Sequence, residues 1–237
     1  EQAAKVTTLG NKFQGNSEIT SFDEFENFTG VTVITNTTFK DSTNLESIVL
    51  PNSLEKIDYG TFTGFADLVI EDLNLDNLTF LGNGAFEGTK IKKVSNLGRI
   101  TEVSIGAFQK CEELTEVTLS NIIVSIKDSC FKSCTNLRVV VFPNSLTVIR
   151  DWAFYECVSL ESITLPDNIK EVRIGAFGNC TSLTDVTILA TTPPTSDRDV
   201  FKNTNDCPIY VPSGSVEAYK TAANWSAYAS RIQAIID

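Results

Sequence analysis

Residues 160–182 read LESITLPDNIKEVRIGAFGNCTS, and the two stretches before them match position for position: LTEVTLSNIIVSIKDSCFKSCTN and LRVVVFPNSLTVIRDWAFYECVS. The shared pattern is L-x-x-[IV]-x-[LF]-[PS]-x-x-[IL]-x-x-[IV]-x-x-x-x-F-x-x-C-x-x, 23 residues long. Sliding the chain along itself by that period aligns Phe22, Leu45, Leu68, Ile91, Leu114, Leu137, Leu160 and Leu183 without a break. A second column holds Phe39, Phe62, Phe86, Phe108, Phe131, Phe154, Phe177 and Phe201 at the same spacing within one residue. Self-similarity at such a period is the signature of a repeat architecture.

The alternation in L-x-x-I-x-L predicts a short strand in each unit, with Ile48 and Leu50, or Ile163 and Leu165, pointing inward. A further apolar pair follows in each unit (Leu146 and Ile149; Ile169 and Val172), then an irregular or helical turn ending in A-F-x-x-C. Twenty-three residues cannot bury such a face alone, so each coil must cover the next. The expected fold is a mostly β solenoid of stacked repeats. It would have about eight coils forming one parallel sheet, with the phenylalanine column filling the opposite side of the core.

The ends depart from the pattern, as caps should. Residues 1–21 read as a lead-in and 22–192 as the repeats. Residues 193–237 read as a C-terminal cap within the same domain, since so short a piece cannot fold alone. FDEFENFTG spaces Phe22, Phe25 and Phe28 for a helix-like turn closing the first coil. After ATTPPTSDRDVF, the strand PIYV and a helix from about Ser215 would lay Tyr219, Trp225, Tyr228 and Ile232 over the last coil.

Composition then removes whole classes of chemistry. The chain contains no histidine, which excludes Ser-His-Asp and Cys-His catalysis and H-E-x-x-H zinc sites together. No G-x-x-x-x-G-K-[ST] phosphate loop occurs. A net charge of −11 leaves no basic face for nucleic acid. No apolar run reaches the roughly 18 residues of a membrane span, and EQAAKVTTLG shows no basic n-region or apolar h-region of a leader. Asp72, Asn74 and Asp76 occupy odd positions of a calcium loop, but Asn77 stands where glycine is required and Asn83 where glutamate is required. Neither a cofactor nor a metal site is expected, and the chain is not expected to be an enzyme.

Cys111, Cys134, Cys157 and Cys180 each follow a ladder phenylalanine by three residues, where earlier coils place Ser42, Phe65 and Thr89. Their spacing therefore comes from the register of the repeat. A buried free thiol behaves as a small hydrophobe, and parallel Cβ vectors are poorly aimed for disulfides. These four, with Phe108, Phe131, Phe154 and Phe177, are expected as a structural ladder. Cys130, directly before a core phenylalanine, and Cys207, beyond the ladder, stand apart.

These units resemble the BspA-like leucine-rich repeats, the 23-residue class of bacterial surface proteins, over essentially the whole chain. SEITSFDEFENFTGV is similar to a first repeat of that family and CPIYVPSGSVEAYKTAANWSAYASRI to its C-terminal cap. EQAAKVTTLG is similar to the segment that follows a calcium loop in that family, which would make Glu1 that loop's last ligand. The units at 68 and 91 are irregular, and the L-x-x-N asparagine ladder of other leucine-rich repeats is absent.

The resemblance implies a secreted or surface protein, lipid-anchored upstream, that binds an extracellular protein, another bacterial surface or a glycan. Three roles follow: an adhesin-like binding module, a glycan-capturing surface protein, and a passive spacer. Alternation turns the third and fifth residue of each unit outward: Lys93 and Ser95, Glu116 and Thr118, Val139 and Val141, Ser162 and Thr164, Asp185 and Thr187. Val139 and Val141, flanked by Arg138, are the one apolar step in that row. Lys93, Glu116, Arg138, Val139, Val141 and Ser162 are thus the candidate contact residues.

Overall fold

The computed structural model describes residues 2–236; the calcium-ligand role suggested for Glu1 lies outside them. The chain winds into about nine coils with few helices, a parallel-strand solenoid. Each coil has three sides: a first strand, a second strand and a turn. The first strands run as Ser21–Phe22, Ser47–Ile48, Val69–Ile70 and Lys90–Ile91, then Leu73–Asn74, Lys93–Asn96, Glu116–Thr118 and Val139–Val141. Ser162–Leu165, Asp185–Ile188, Ile209–Val211 and Ile232–Ala234 complete the series. Val117 is in register with Val94 and Val140, each 23 residues away. All three valines are buried, which is what the alternating pattern requires.

To the one sheet expected from the pattern, the structure adds a second ladder of strands on the next side. Val33–Ile34, Lys56–Ile57 and Phe80–Leu81 form its first part, and Glu102–Val103 through Thr195–Ser196 its second. These strands hold the second member of the further apolar pair of each unit, with Ile126, Ile149 and Val172 fully buried. They are two residues long, too short to alternate visibly in a sequence.

Two other expectations need correction. Phe22 does not occupy the column of Leu45, because it pairs with Ile48, 26 residues on. The first coil is longer than the rest, and its aromatic side chain enters the core where later coils place isoleucine or valine. At the other end the helix is only Val216–Thr221, followed by a 3-10 turn, Trp225–Tyr228, and a strand, Ile232–Ala234, that holds Ile232. Ala222, extended at a ψ of 149°, ends the helix, and Asn224, at a φ of 64°, leads into the 3-10 turn. The cap still closes the core: Tyr219 and Trp225 are buried, and their polar tips donate to the Ala190 and Pro194 carbonyls at 2.8 and 2.7 Å. At the N-terminal end Phe22 stacks on Phe25 with centroids 4.9 Å apart.

The turn side carries the strongest regularity. From Phe39 to Phe201 each ladder ring stacks on the next, with centroids 5.1–5.8 Å apart and planes within 25°. Near-parallel rings in contact at about 3.5–4 Å with centroids this far apart must be laterally offset, the arrangement the aromatic quadrupole prefers. The backbone N–H groups of Phe62, Phe86, Phe108, Phe131, Phe154 and Phe177 donate to carbonyls of the following coil at 2.8–3.0 Å. Hydrogen bonds and ring contacts therefore run along the same axis.

The cysteine position has a more specific role than space filling. Cys111, Cys134, Cys157 and Cys180 donate their S–H to the carbonyls of Phe86, Phe108, Phe131 and Phe154, one coil back, at 3.1–3.2 Å. The Phe108 carbonyl also accepts the Cys111 N–H, so both its lone pairs are used. Where the position is not cysteine, Thr89 and Thr204 bond the phenylalanine carbonyl of their own coil, and Ser42 bonds the Phe13 carbonyl. Phe65 is the exception, and it lies buried edge-on to Phe62. The position selects a small donor that satisfies a buried acceptor, as a dry core demands. Burial pushes the thiols of Cys111 and Cys180 up to about 12 and the others of the column upward as well.

Two outcomes follow. Phe131→Ala opens a cavity in the middle of the stack and should cost about 3–5 kcal/mol, read as a lowered urea midpoint; a loss below about 1 kcal/mol would mean the rings do not carry the core. The thiol shifts set a direction with pH. Below the ordinary thiol value near 9 both folded and unfolded chains keep their protons. Between there and 12 only the unfolded chain ionises, so the urea midpoint should fall steadily over that range. Burial pushes the phenols of Tyr219 and Tyr228 up too, so they act in the same direction. A midpoint that rises from pH 9 to 11 would contradict it.

Candidate partner-binding face

The outward positions of the first strands form one surface on which the candidate residues take their places. Lys93, Glu116 and Val139 are neighbours in successive strands, at matching register. Lys93 Nζ and Glu116 Oε2 meet at 3.2 Å, both side chains about two-fifths exposed. An ion pair this exposed is worth little stability, about 0–1 kcal/mol, so these two charges remain available to a partner. Val139 and Val141 are each 50% exposed, the largest opening of any valine on this face, while Val140 between them is buried. Arg138 and Ser162 are exposed beside them.

The surface is not continuous at this step. Val139–Val141 is the last strand of one sheet and Ser162–Leu165 the first of another; they lie side by side without pairing. A shallow cavity of about 300 Å³ opens there, lined by Arg138, Val139, Val141, Ser162, Thr164 and Leu189, among others. Structure thus brings Arg138, the two valines and Ser162 to one groove, and leaves Lys93 and Glu116 on the same face but outside it. Leu189, 41% exposed, was not singled out from the pattern. A signal existed: it stands where the equivalent coils carry Ser120, Pro143 and Pro166.

A second break lies nearer the N-terminus. The coil that starts at Leu68 holds two short strands, Val69–Ile70 and Leu73–Asn74, with Glu71 and Asp72 between them and a register shift at Leu73 and Asn74. The first continues the sheet of the early coils and the second begins the next sheet. Leu73 and Leu75 are buried core residues, so Asp72, Asn74 and Asp76 alternate with inward-facing positions, as the ligands of a calcium loop do not. The cavity at this break, about 470 Å³, is rimmed by Asp23, Glu71 and Asp72. Among the described residues, no three His, Cys, Asp or Glu side chains converge as a metal site would need.

Parallel strands stacked coil on coil, a phenylalanine spine and capped ends define a solenoid repeat protein with a broad strand face. The chain belongs to the BspA-type leucine-rich-repeat family: a model described as a BspA type leucine rich repeat region matches it in six copies, over residues 6–123 and 101–226. No curated protein matches it. Among solved structures it is similar to a leucine-rich repeat protein from Bacteroides ovatus ATCC 8483, at 23% identity and a TM-score of 0.62, covering 91% of this chain and 64% of that one. It is similar also to the T. pallidum leucine rich repeat protein, at 24% identity and a TM-score of 0.54, over 66% and 78%. A leucine rich cell surface protein from Faecalibacterium prausnitzii A2-165 matches at 23% identity and a TM-score of 0.51, over 82% and 61%. These likenesses show the fold alone. The chain spans less than two thirds of the Bacteroides and Faecalibacterium proteins. Among the described residues no helix is long and apolar enough to cross a membrane.

Proposed function

We propose that this chain is a non-enzymatic, cell-surface or secreted binding protein of adhesin-like type, which holds an extracellular protein or bacterial surface macromolecule on its first-strand face. One observation carries the reading. The groove beside Val139–Val141 combines an exposed apolar step, an arginine and unpaired strand edges, on a surface whose neighbouring positions are short and polar. A desolvated apolar centre with Arg beside it and a polar rim is the composition of protein interfaces. A passive spacer has no need of such a step, since two half-exposed valines are a solubility cost without a partner. Arg138, Val139, Val141 and Ser162 form the centre of the proposed contact and Lys93 and Glu116 its rim. In this reading residues 22–192 present the face, residues 1–21 lead into it, and residues 193–237 close its far end. The Faecalibacterium neighbour is a leucine rich cell surface protein, which supports the same setting, outside the cell.

Immobilised chain incubated with host matrix proteins and with intact bacterial surfaces should retain a partner. Replacing Val139 and Val141 together by Ser should leave the urea midpoint within about 1–2 kcal/mol of the parent, because only strand propensity and half-exposed area are lost. It should weaken the retained partner by at least about tenfold, or roughly 1.4 kcal/mol. Unchanged affinity of the double variant would exclude this face.

A further inference from the structure

From Phe62 to Phe201 each turn holds two residues in the left-handed region, one two positions before the ladder phenylalanine and one two positions after it. The earlier position is Gly60, Gly84, Gly106 and Gly175 in four coils and Ser129 and Asp199 in two more. In the coil between Ser129 and Gly175 it is Trp152, at a φ of 56°. The other non-glycine residues with positive φ are Asp, Asn, Ser, Lys and Glu; Trp152 is the one aromatic among them. This conformation disfavours bulky L side chains, so the coil keeps an indole at the position where glycine would fold more easily.

The indole is not there to fill the core. It is 43% exposed, whereas Trp225, the other tryptophan, is buried. Two glycines of the next coil make room for it and for Tyr155. A Cβ on Gly175 would come within 2.8 Å of Trp152 Cδ1 and 3.7 Å of Tyr155 Cδ2, and one on Gly178 within 3.0 Å of the Tyr155 ring. Both rings thus lie against Gly175 on the turn side of the coil. Asn179 Nδ2 donates to Tyr155 Oη at 2.8 Å and fixes that ring. Trp152 Nε1–H meets no acceptor among the described residues.

We propose that Trp152 and Tyr155 form a platform for a hexopyranose unit of a neutral, β-linked glycan. The C–H face of a pyranose packs on an aromatic ring, and its equatorial hydroxyls then need polar groups at the rim. The indole N–H supplies one, and the second N–H of the Asn179 amide, whose Oδ1 accepts from Asn203 Nδ2 at 2.8 Å, supplies another. Charges around the rings cancel: Lys132 Nζ lies over the Tyr155 ring, 5.6 Å from its centroid, and Arg173 stands between Asp151 at 3.9 Å and Asp197 at 3.0 Å. A rim of balanced charge suits an uncharged ligand better than a basic or acidic peptide. Trp152 lies on the turn and Val139 on a first strand, so this site is independent of the proposed protein contact.

The test uses the whole chain with cellohexaose, β-1,4-galactohexaose and β-1,4-mannohexaose as probes. At least one should blue-shift the exposed tryptophan emission and bind with a Kd below about 1 mM by calorimetry. Trp152→Gly restores the residue of four other coils, so it should keep or raise the urea midpoint while weakening that binding at least about tenfold. If the glycine variant lowers the midpoint, the indole is packing for stability, and Trp152→Ser, the residue of the preceding coil, repeats the binding measurement. The proposal is overturned if no probe binds at about 10 mM, or if a folded Trp152 variant binds as tightly as the parent. It is equally overturned if an arginine-rich peptide shifts the emission and the oligosaccharides do not.

Discussion

The offset stacking of each ladder phenylalanine on the next, joined to an N–H that reaches forward into the following coil, is the contact on which the remaining structure depends. One coil alone would leave a ring face and an amide in water; two neighbours bury the first and satisfy the second. Everything else in the coil is arranged to keep that spacing. The thiols hold the phenylalanine carbonyls from the next coil, and the left-handed turn positions let the chain double back beneath the ring. The ends need special chemistry for the same reason. Phe22 and Phe25 close one terminus, and Trp225 with Tyr219 closes the other, their N–H and O–H satisfied by backbone carbonyls.

A framework this repetitive makes function a matter of its departures. Inward positions tolerate little change, because each side chain is sandwiched between two coils. Outward positions of the first strands are free, and there Val139 and Val141 break a row of short polar residues. The sheet itself opens beside them, between Val139–Val141 and Ser162–Leu165, and this opening turns two exposed valines into a lined groove. On the turn side the departure is Trp152, an aromatic at a glycine position. Both departures sit in the same coil, residues 137–159, on different sides of it.

Much of the fold is legible in the sequence because a period of 23 repeats the same physical demand in every coil. The inward and outward assignment of Val117, Val139 and Val140 needs only alternation. What escapes is local or geometric. Two-residue strands such as Val148–Ile149 leave no alternation to read, so the second ladder is hidden in an apolar pair. The 26-residue first coil puts Phe22 in a column that the period assigns elsewhere. The break at Glu71 and Asp72 shows only as an irregular unit. The groove at Val139 depends on two strands failing to pair, and both strands are rich in the β-branched residues that usually pair well. The thiol hydrogen bonds are legible only afterwards, once Ser42 and Thr89 are seen to do the same work.

Native-state hydrogen exchange tests the central dependence most directly. If the forward amide bonds and stacked rings hold the solenoid together, the N–H groups of Phe62, Phe86, Phe108, Phe131, Phe154 and Phe177 should be among the slowest to exchange. Their protection should approach that of global unfolding and be shared across coils. Exchange of these six amides as fast as that of exposed turn residues, with protection confined to the strand amides, would contradict the account.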